Sequence, residues 1–185
     1  MRPPHTSFKI ATQWDIPQSE WTVANIRSAL QEHESGRLRR SSQLIDAMGR
    51  DARISGDLET RVRSLTCRGA LPFEVQAPEG GDGRKRASAL QRQRELWWYV
   101  CPESEIAPLL RSSIMAGPGL GYLDWQVDGG EWIPQVRWLP THGLSYERYP
   151  IGKLRPGWVY QTADGEQLQV TPGDGSWILH QPNGW

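Results

Sequence analysis

From Thr22 to Leu65 the apolar residues recur at intervals of three and four, the pattern of helices that bury one stripe. Thr22 stands where an N-cap is wanted, Val23, Ile26, Ala29 and Leu30 follow at helical spacing, and Gly36 stops the run. A second helix is predicted from about Leu38 to Met48, with Leu38, Leu44, Ile45 and Met48 on one side and Gly49 closing it. A third, about Ile54 to Leu65, sets Ile54, Leu58, Val62 and Leu65 on one face and Asp57, Glu59, Arg61 and Arg63 on another. Each is marginal alone and needs a partner surface. Leu71–Gln76 alternates as a short strand, Pro72 favouring a sheet edge. Ala77–Arg86, glycine-rich and charged, reads as an exposed loop. A helix over about Ala87–Val100 follows, carrying Leu90, Leu96, Trp97 and Val100, and Pro102 ends it. The next, about Glu105–Met115, is read as capped by Ser104, with Pro108 in its first turn and Ile106, Leu109, Leu110 and Ile114 inward.

Beyond Gly117-Pro-Gly119 the period changes to two. Tyr122–Val127 and Glu131–Trp138, joined by Asp128-Gly-Gly130, predict a hairpin with a glycine turn. Leu144–Tyr149, Gly157–Thr162, Gln167–Thr171 and Ser176–His180 read as further strands, with turns at Asp164-Gly and Asp174-Gly. Helices first and an antiparallel meander after them make the fold class α+β. Three stretches are distinguished: an extended arm over 1–21, a mainly helical region with one short strand over 22–116, and an antiparallel β region over 117–185. The strand and turn that run into Trp185 lead us to expect the N-terminal part of a longer chain.

Composition alters this picture in two places. The 185 residues carry 21 Lys+Arg and 21 Asp+Glu, so no global field draws the molecule to nucleic acid or an anionic membrane. The neutrality conceals a division: residues 37–94 hold 13 basic against 7 acidic side chains, and the rest 8 against 14. The second feature is Trp 10 beside Phe 2 and Tyr 5. A broad ring with one N–H donor suits interfaces, and the excess points to surface shared with other subunits. No apolar run approaches the ~20 residues needed to cross a bilayer, and the start lacks a signal-peptide layout, which points away from secretion and membrane insertion. Cys67 and Cys101, far apart in sequence, indicate two reduced, half-buried thiols rather than a disulfide framework or a zinc pair.

No motif supports catalysis. His5, His33, His142 and His180 fall in separate regions, and no His, Cys or carboxylate set has metal-ligand spacing. Glu103 and Glu105 flank a helix start, where carboxylates favour the dipole. Gly117-Pro-Gly-Leu-Gly121 follows a helix and precedes a strand, the reverse of a phosphate cradle, so it is read as a helix stop and turn. Ser112 and Ser113 lack a nucleophile elbow. No catalytic, cofactor-binding or metal-ligating residue is therefore expected. Two basic clusters, Arg37, Arg39 and Arg40, and Arg84, Lys85 and Arg86 running on to Arg92 and Arg94, form either a solvated face or a contact surface for phosphates. Trp97 and Trp98 point about 100° apart on a helix, so one packs inward while the other reaches a neighbouring helix or subunit. With Trp125, Trp132 and Trp138 they are the candidate subunit-interface residues.

Ala29-Leu-Gln-Glu-His-Glu-Ser-Gly36, Ser41-Ser-Gln-Leu-Ile-Asp-Ala-Met48 and Arg50–Arg63 resemble the Mu-like bacteriophage portal protein family, and Leu71–Ala77 stands where that family has a strand. Leu110–Gly117, Tyr122-Leu-Asp-Trp125, Trp132-Ile-Pro and Trp177–Gly184 are similar to its later helix, glycine and β region. The resemblance implies a homo-oligomeric ring, typically a dodecamer, at one capsid vertex of the virion, assembled in the host cytoplasm. Such a ring passes double-stranded DNA during packaging and ejection, docks terminase, and connects the major capsid protein to a head-tail adaptor. This chain would supply the outer wing, with the stem, clip and channel loop beyond Trp185. A ring subunit joins two different faces, and segregated charge with abundant Trp suits such a seam. A rival from another class is a carbohydrate-binding β module with a helical preface, resting on Trp125, Trp132, Trp138, Trp158 and Trp177. A third is an enzyme fragment that lacks its catalytic part.

Overall fold

The computed structural model describes residues 22–66 and 83–181. The arm over 1–21, the strand at Leu71–Gln76, the loop over 77–82, Cys67 and Trp185 lie outside them. Helices α1 (Val23–Glu34) and α2 (Arg39–Met48) form an antiparallel pair, followed by α3 (Ala52–Thr66). Thr22 caps α1 as its sequence implies, its hydroxyl accepting from the Asn25 N–H at 3.2 Å. Gly36 takes φ +91° because the connecting backbone presses against Tyr146, where a Cβ would come within 2.8 Å of the Tyr146 Cβ and carbonyl oxygen. The amphipathic stripes are only partly covered. Ala29 is buried in α1 while Val23 and Leu30 stay exposed, and α3 buries Leu58 and Val62 but not Leu65.

Helix α4 spans Gly83–Val100 and α5 spans Glu103–Ala116. Three expectations need correcting here. The helix expected at Ala87 begins at Gly83, so the Arg84–Arg86 backbone is helical rather than looped. Pro102, not Ser104, is the N-cap of α5, which puts Ser104 inside the helix and Pro108 beyond its first turn. The Glu103 and Glu105 carboxylates already favour that helix start, so a hydroxyl cap is dispensable. Ile114, expected inward, faces out.

The strands form two antiparallel three-stranded sheets. The first has order β2-β1-β6, with β1 (Gly119–Asp128), β2 (Glu131–Leu139) and β6 (Trp177–His180); the second has order β3-β4-β5, with β3 (Leu144–Glu147), β4 (Gly157–Gln161) and β5 (Gln167–Gln169). Gly129 and Gly130, at φ +58° and +85°, turn β1 tightly into β2. β1 starts at Gly119, three residues before the expected Tyr122. The reason is close packing of α5: a Cβ on Gly121 would lie 3.1 Å from Leu109 Cδ1, and one on Gly119 would collide with the Ser113 hydroxyl. The glycine run thus lets a helix rest on a strand. The α+β order of helices followed by antiparallel strands is the one read from the sequence.

The core has two parts. Between the sheets, Leu38, Leu120, Leu139, Leu144, Trp158, Tyr160, Val170 and Trp177 pack together. On the other face of the first sheet, Cys101, Leu109 and Val136 are covered by Trp97, Val100, Ile106, Leu123, Trp138 and Ile178 from α4, α5 and the strands. The free Cys101 thiol is pushed up to about 11 by burial.

Candidate functional site

The hairpin register sorts its residues by face. Gly121, Leu123, Trp125 and Val127 on β1 stand opposite Trp138, Val136, Pro134 and Trp132 on β2. One face is therefore apolar from end to end. Its inner half lies under α4 and α5, while at the tip, which α4 reaches through Arg92, Val127 is 59% and Trp132 40% exposed. The opposite face of the same tip carries Asp124, Gln126, Asp128 and Glu131.

The five candidate interface tryptophans do not share one environment. Trp97 and Trp138 pack onto the inner cluster. The Trp138 indole N–H donates to the Ser112 hydroxyl at 3.2 Å, and its backbone N–H to Glu105 Oε2 at 2.8 Å. Glu105 thereby caps the open edge of β2 and also lies 3.4 Å from Arg137. Trp125 is half-buried, its indole donating to the Gly175 carbonyl at 2.7 Å. Trp98 is half-buried on α4, outside that cluster. Trp132 reaches the tip. There Arg92 of α4 pairs with Glu131 at 3.1 Å, and Arg92, Leu96 and Tyr99 form one exposed helical stripe.

The other tryptophans on which the sugar-binding rival rests are interior. Trp158 and Trp177 are 6% and 8% exposed and meet Tyr146 and Tyr122 edge to face at 5.3 Å. They offer no face to a ligand.

The basic cluster at the start of α2 is exposed, with Arg40 held 3.3 Å from Glu32 and donating to the Ser28 hydroxyl. Burial, with Arg39 nearby, lowers His142 to about 4. Arg84, Lys85 and Arg86 lie in the first turn of α4, on a separate helix from that cluster. Among the described residues no group of three or more His, Cys, Asp or Glu is placed to hold a metal ion. No helix among them is long and apolar enough to cross a membrane.

Sequence reasoning missed a pocket of about 270 Å³ between α2, α3 and α5. Ile45, Leu58, Pro108 and Met115 give it an apolar wall; Asp46, Arg50 and Arg111 bring charge to it. An ion pair from Glu59 of α3 holds Arg111. Its residues come from three helices, with Trp138 of β2 and Thr141 beside them, and no spacing in one segment announces the concavity. The apolar residues that α4 and the tip leave in water were also unmarked, because a periodic stripe does not reveal how much of it is covered.

Aromatic and aliphatic side chains thus run in this α+β chain from the core to an exposed tip. The family described as portal protein of Mu bacteriophage matches residues 42–184, and the chain belongs to that family. This bears out the resemblance read from the sequence, although α1 and the Ala29–Gly36 stretch precede the matched span. No curated protein matches the chain.

Proposed function

We propose that this chain is the wing part of a portal subunit, a structural protein that closes into a ring of twelve copies at one capsid vertex. The ring lets double-stranded DNA enter and leave and joins the head to the neck and tail. In this reading the chain works by assembly, its neighbours being identical copies, the major capsid protein and a head-tail adaptor. Residues 22–116 and 117–185 serve as the helical and β portions of the wing. The observation that carries the reading is the family match over 42–184. The apolar tip and the division of charge support it.

Immunogold labelling of phage particles with an antibody to this chain tests the placement. Gold at a single vertex, at the head-tail junction, is the expected outcome. Gold along tails, or on cell extracts but never on particles, would overturn it.

A further inference from the structure

Resting on the ring reading above, we infer that the outer edge of β3 and the β3–β4 loop form a basic band that holds the phosphate backbone of the double-stranded DNA. The fold assembles this band from two distant segments. Strand β3 is the outer strand of its sheet, and the α1–α2 turn docks along it: Arg37 bridges Ser145, and the Tyr146 N–H donates to the Gly36 carbonyl at 2.8 Å. At the far end of β3, Glu147 pairs with Gly157, so Arg148 leaves the sheet beside the point where residues 155–157 return. Gly152, at φ +59°, and an Ile151–Leu154 bridge close the loop, and the Arg155 N–H donates to Gln169 Oε1 at 2.8 Å. These contacts set the loop in one shape before any partner arrives.

Charge selects a polyanion as that partner. Residues 35–45 and 148–163 hold six basic side chains, five of them arginine, and no acid. Arg40 is already held by Glu32, and Arg39 lies beside His142. Arg37, Arg148, Lys153 and Arg155 are exposed and form no ion pair with another described residue. The acids that flank the two segments are Glu34, Asp46, Glu147 and Asp164, and Glu147 accepts from the Ser145 hydroxyl at 3.1 Å. Among the cations stands Tyr149, 79% exposed, whose hydroxyl can donate to a phosphate oxygen. An excess of guanidinium charge fits a phosphate chain, whereas a protein partner asks for an apolar centre inside a polar rim. The cations flank a strand edge and a loop, so the contact is to the DNA backbone rather than to its bases.

Fluorescence anisotropy with a mixed-sequence DNA duplex tests this on the whole chain. One triple variant, Arg148→Gln, Lys153→Gln and Arg155→Gln, removes exposed charge from the loop. A second, Arg53→Gln, Arg61→Gln and Arg63→Gln, removes as much from α3 and controls for net charge. At about 50 mM salt the natural chain should bind with a Kd on the order of 1–100 µM. The loop variant should bind at least about tenfold more weakly, with a log–log salt slope smaller by about 2–3. The α3 variant should stay within about threefold of the natural chain and keep its slope. Circular dichroism checks folding. Arg37→Gln, a probe on the other segment, should lower the slope by about 1 even if the loop variant unfolds. A natural chain that ignores the duplex, or triple variants weakened alike, overturns the band and leaves the ring reading intact. Polyglutamate that competes as well as DNA at equal charge assigns the surface to an acidic protein and also overturns it. The ring reading stands or falls separately, on the gold label at the vertex.

Discussion

The two halves of the core use the same residue type in opposite ways. Between the sheets, Trp158 and Trp177 are enclosed, each meeting a tyrosine edge to face, and they lock β4 and β6 into the sandwich. Beneath α4 and α5, Trp97 and Trp138 are only half-buried, and the apolar surface continues past them to Trp132 in water. The first half is finished within the chain; the second is open at one end. A tryptophan count cannot tell these apart, since the distinction lies in which strand face each ring occupies and in what lies above it.

Substitutions on the two sides sharpen the contrast. Trp177→Ala leaves a large void between the sheets and should cost about 3–5 kcal/mol, read as a shift in urea midpoint. An effect as small as that of a surface residue would break the distinction. Gly119→Ala forces a methyl group into the Ser113 side chain under α5 and should cost about 1–3 kcal/mol in the same measurement.

Acid should act on the molecule through His142. Its folded-state pKa, about 4, lies below the ordinary 6.5, so the unfolded chain takes up the proton first as pH falls. The contribution is complete above pH 6.5 and is lost as pH falls towards 4. His33, also lowered by burial, works in the same direction. Thermal melts between those limits should show falling stability, and His142→Asn should flatten part of the slope. An unchanged slope would show that His142 is as solvated folded as unfolded. Thr22→Ala, which removes the α1 cap, should cost about 1 kcal/mol. Smallest of all, Val127→Ala should change stability by less than about 0.5 kcal/mol, since Val127 at the tip is 59% exposed.

Much of the fold was legible because local signals and tertiary outcome agree. Thr22 and Gly36 bracket α1, and the paired glycines at 129 and 130 need no partner to dictate a tight turn. What stayed hidden depends on distant contacts. Ser104 looks like a cap by residue type, but the chain enters α5 at Pro102, and Glu105 is drawn to the β2 edge some thirty residues away. Gly119 and Gly121 read as a turn because their reason for being glycine is the approach of α5. The return of β6 to β1 past the whole second sheet leaves no trace in the strand pattern. The candidate tryptophans could be named, but which of them faces outward, and the pocket that α2, α3 and α5 form with Trp138 and Thr141, could not.

Whether identical copies close on themselves is measured most directly by native mass spectrometry of the purified chain at rising concentration. One seam repeated around a rotation axis gives a single dominant closed species above the monomer, with few intermediates. A monomer at every concentration, or an open ladder of sizes with no preferred end, would contradict it.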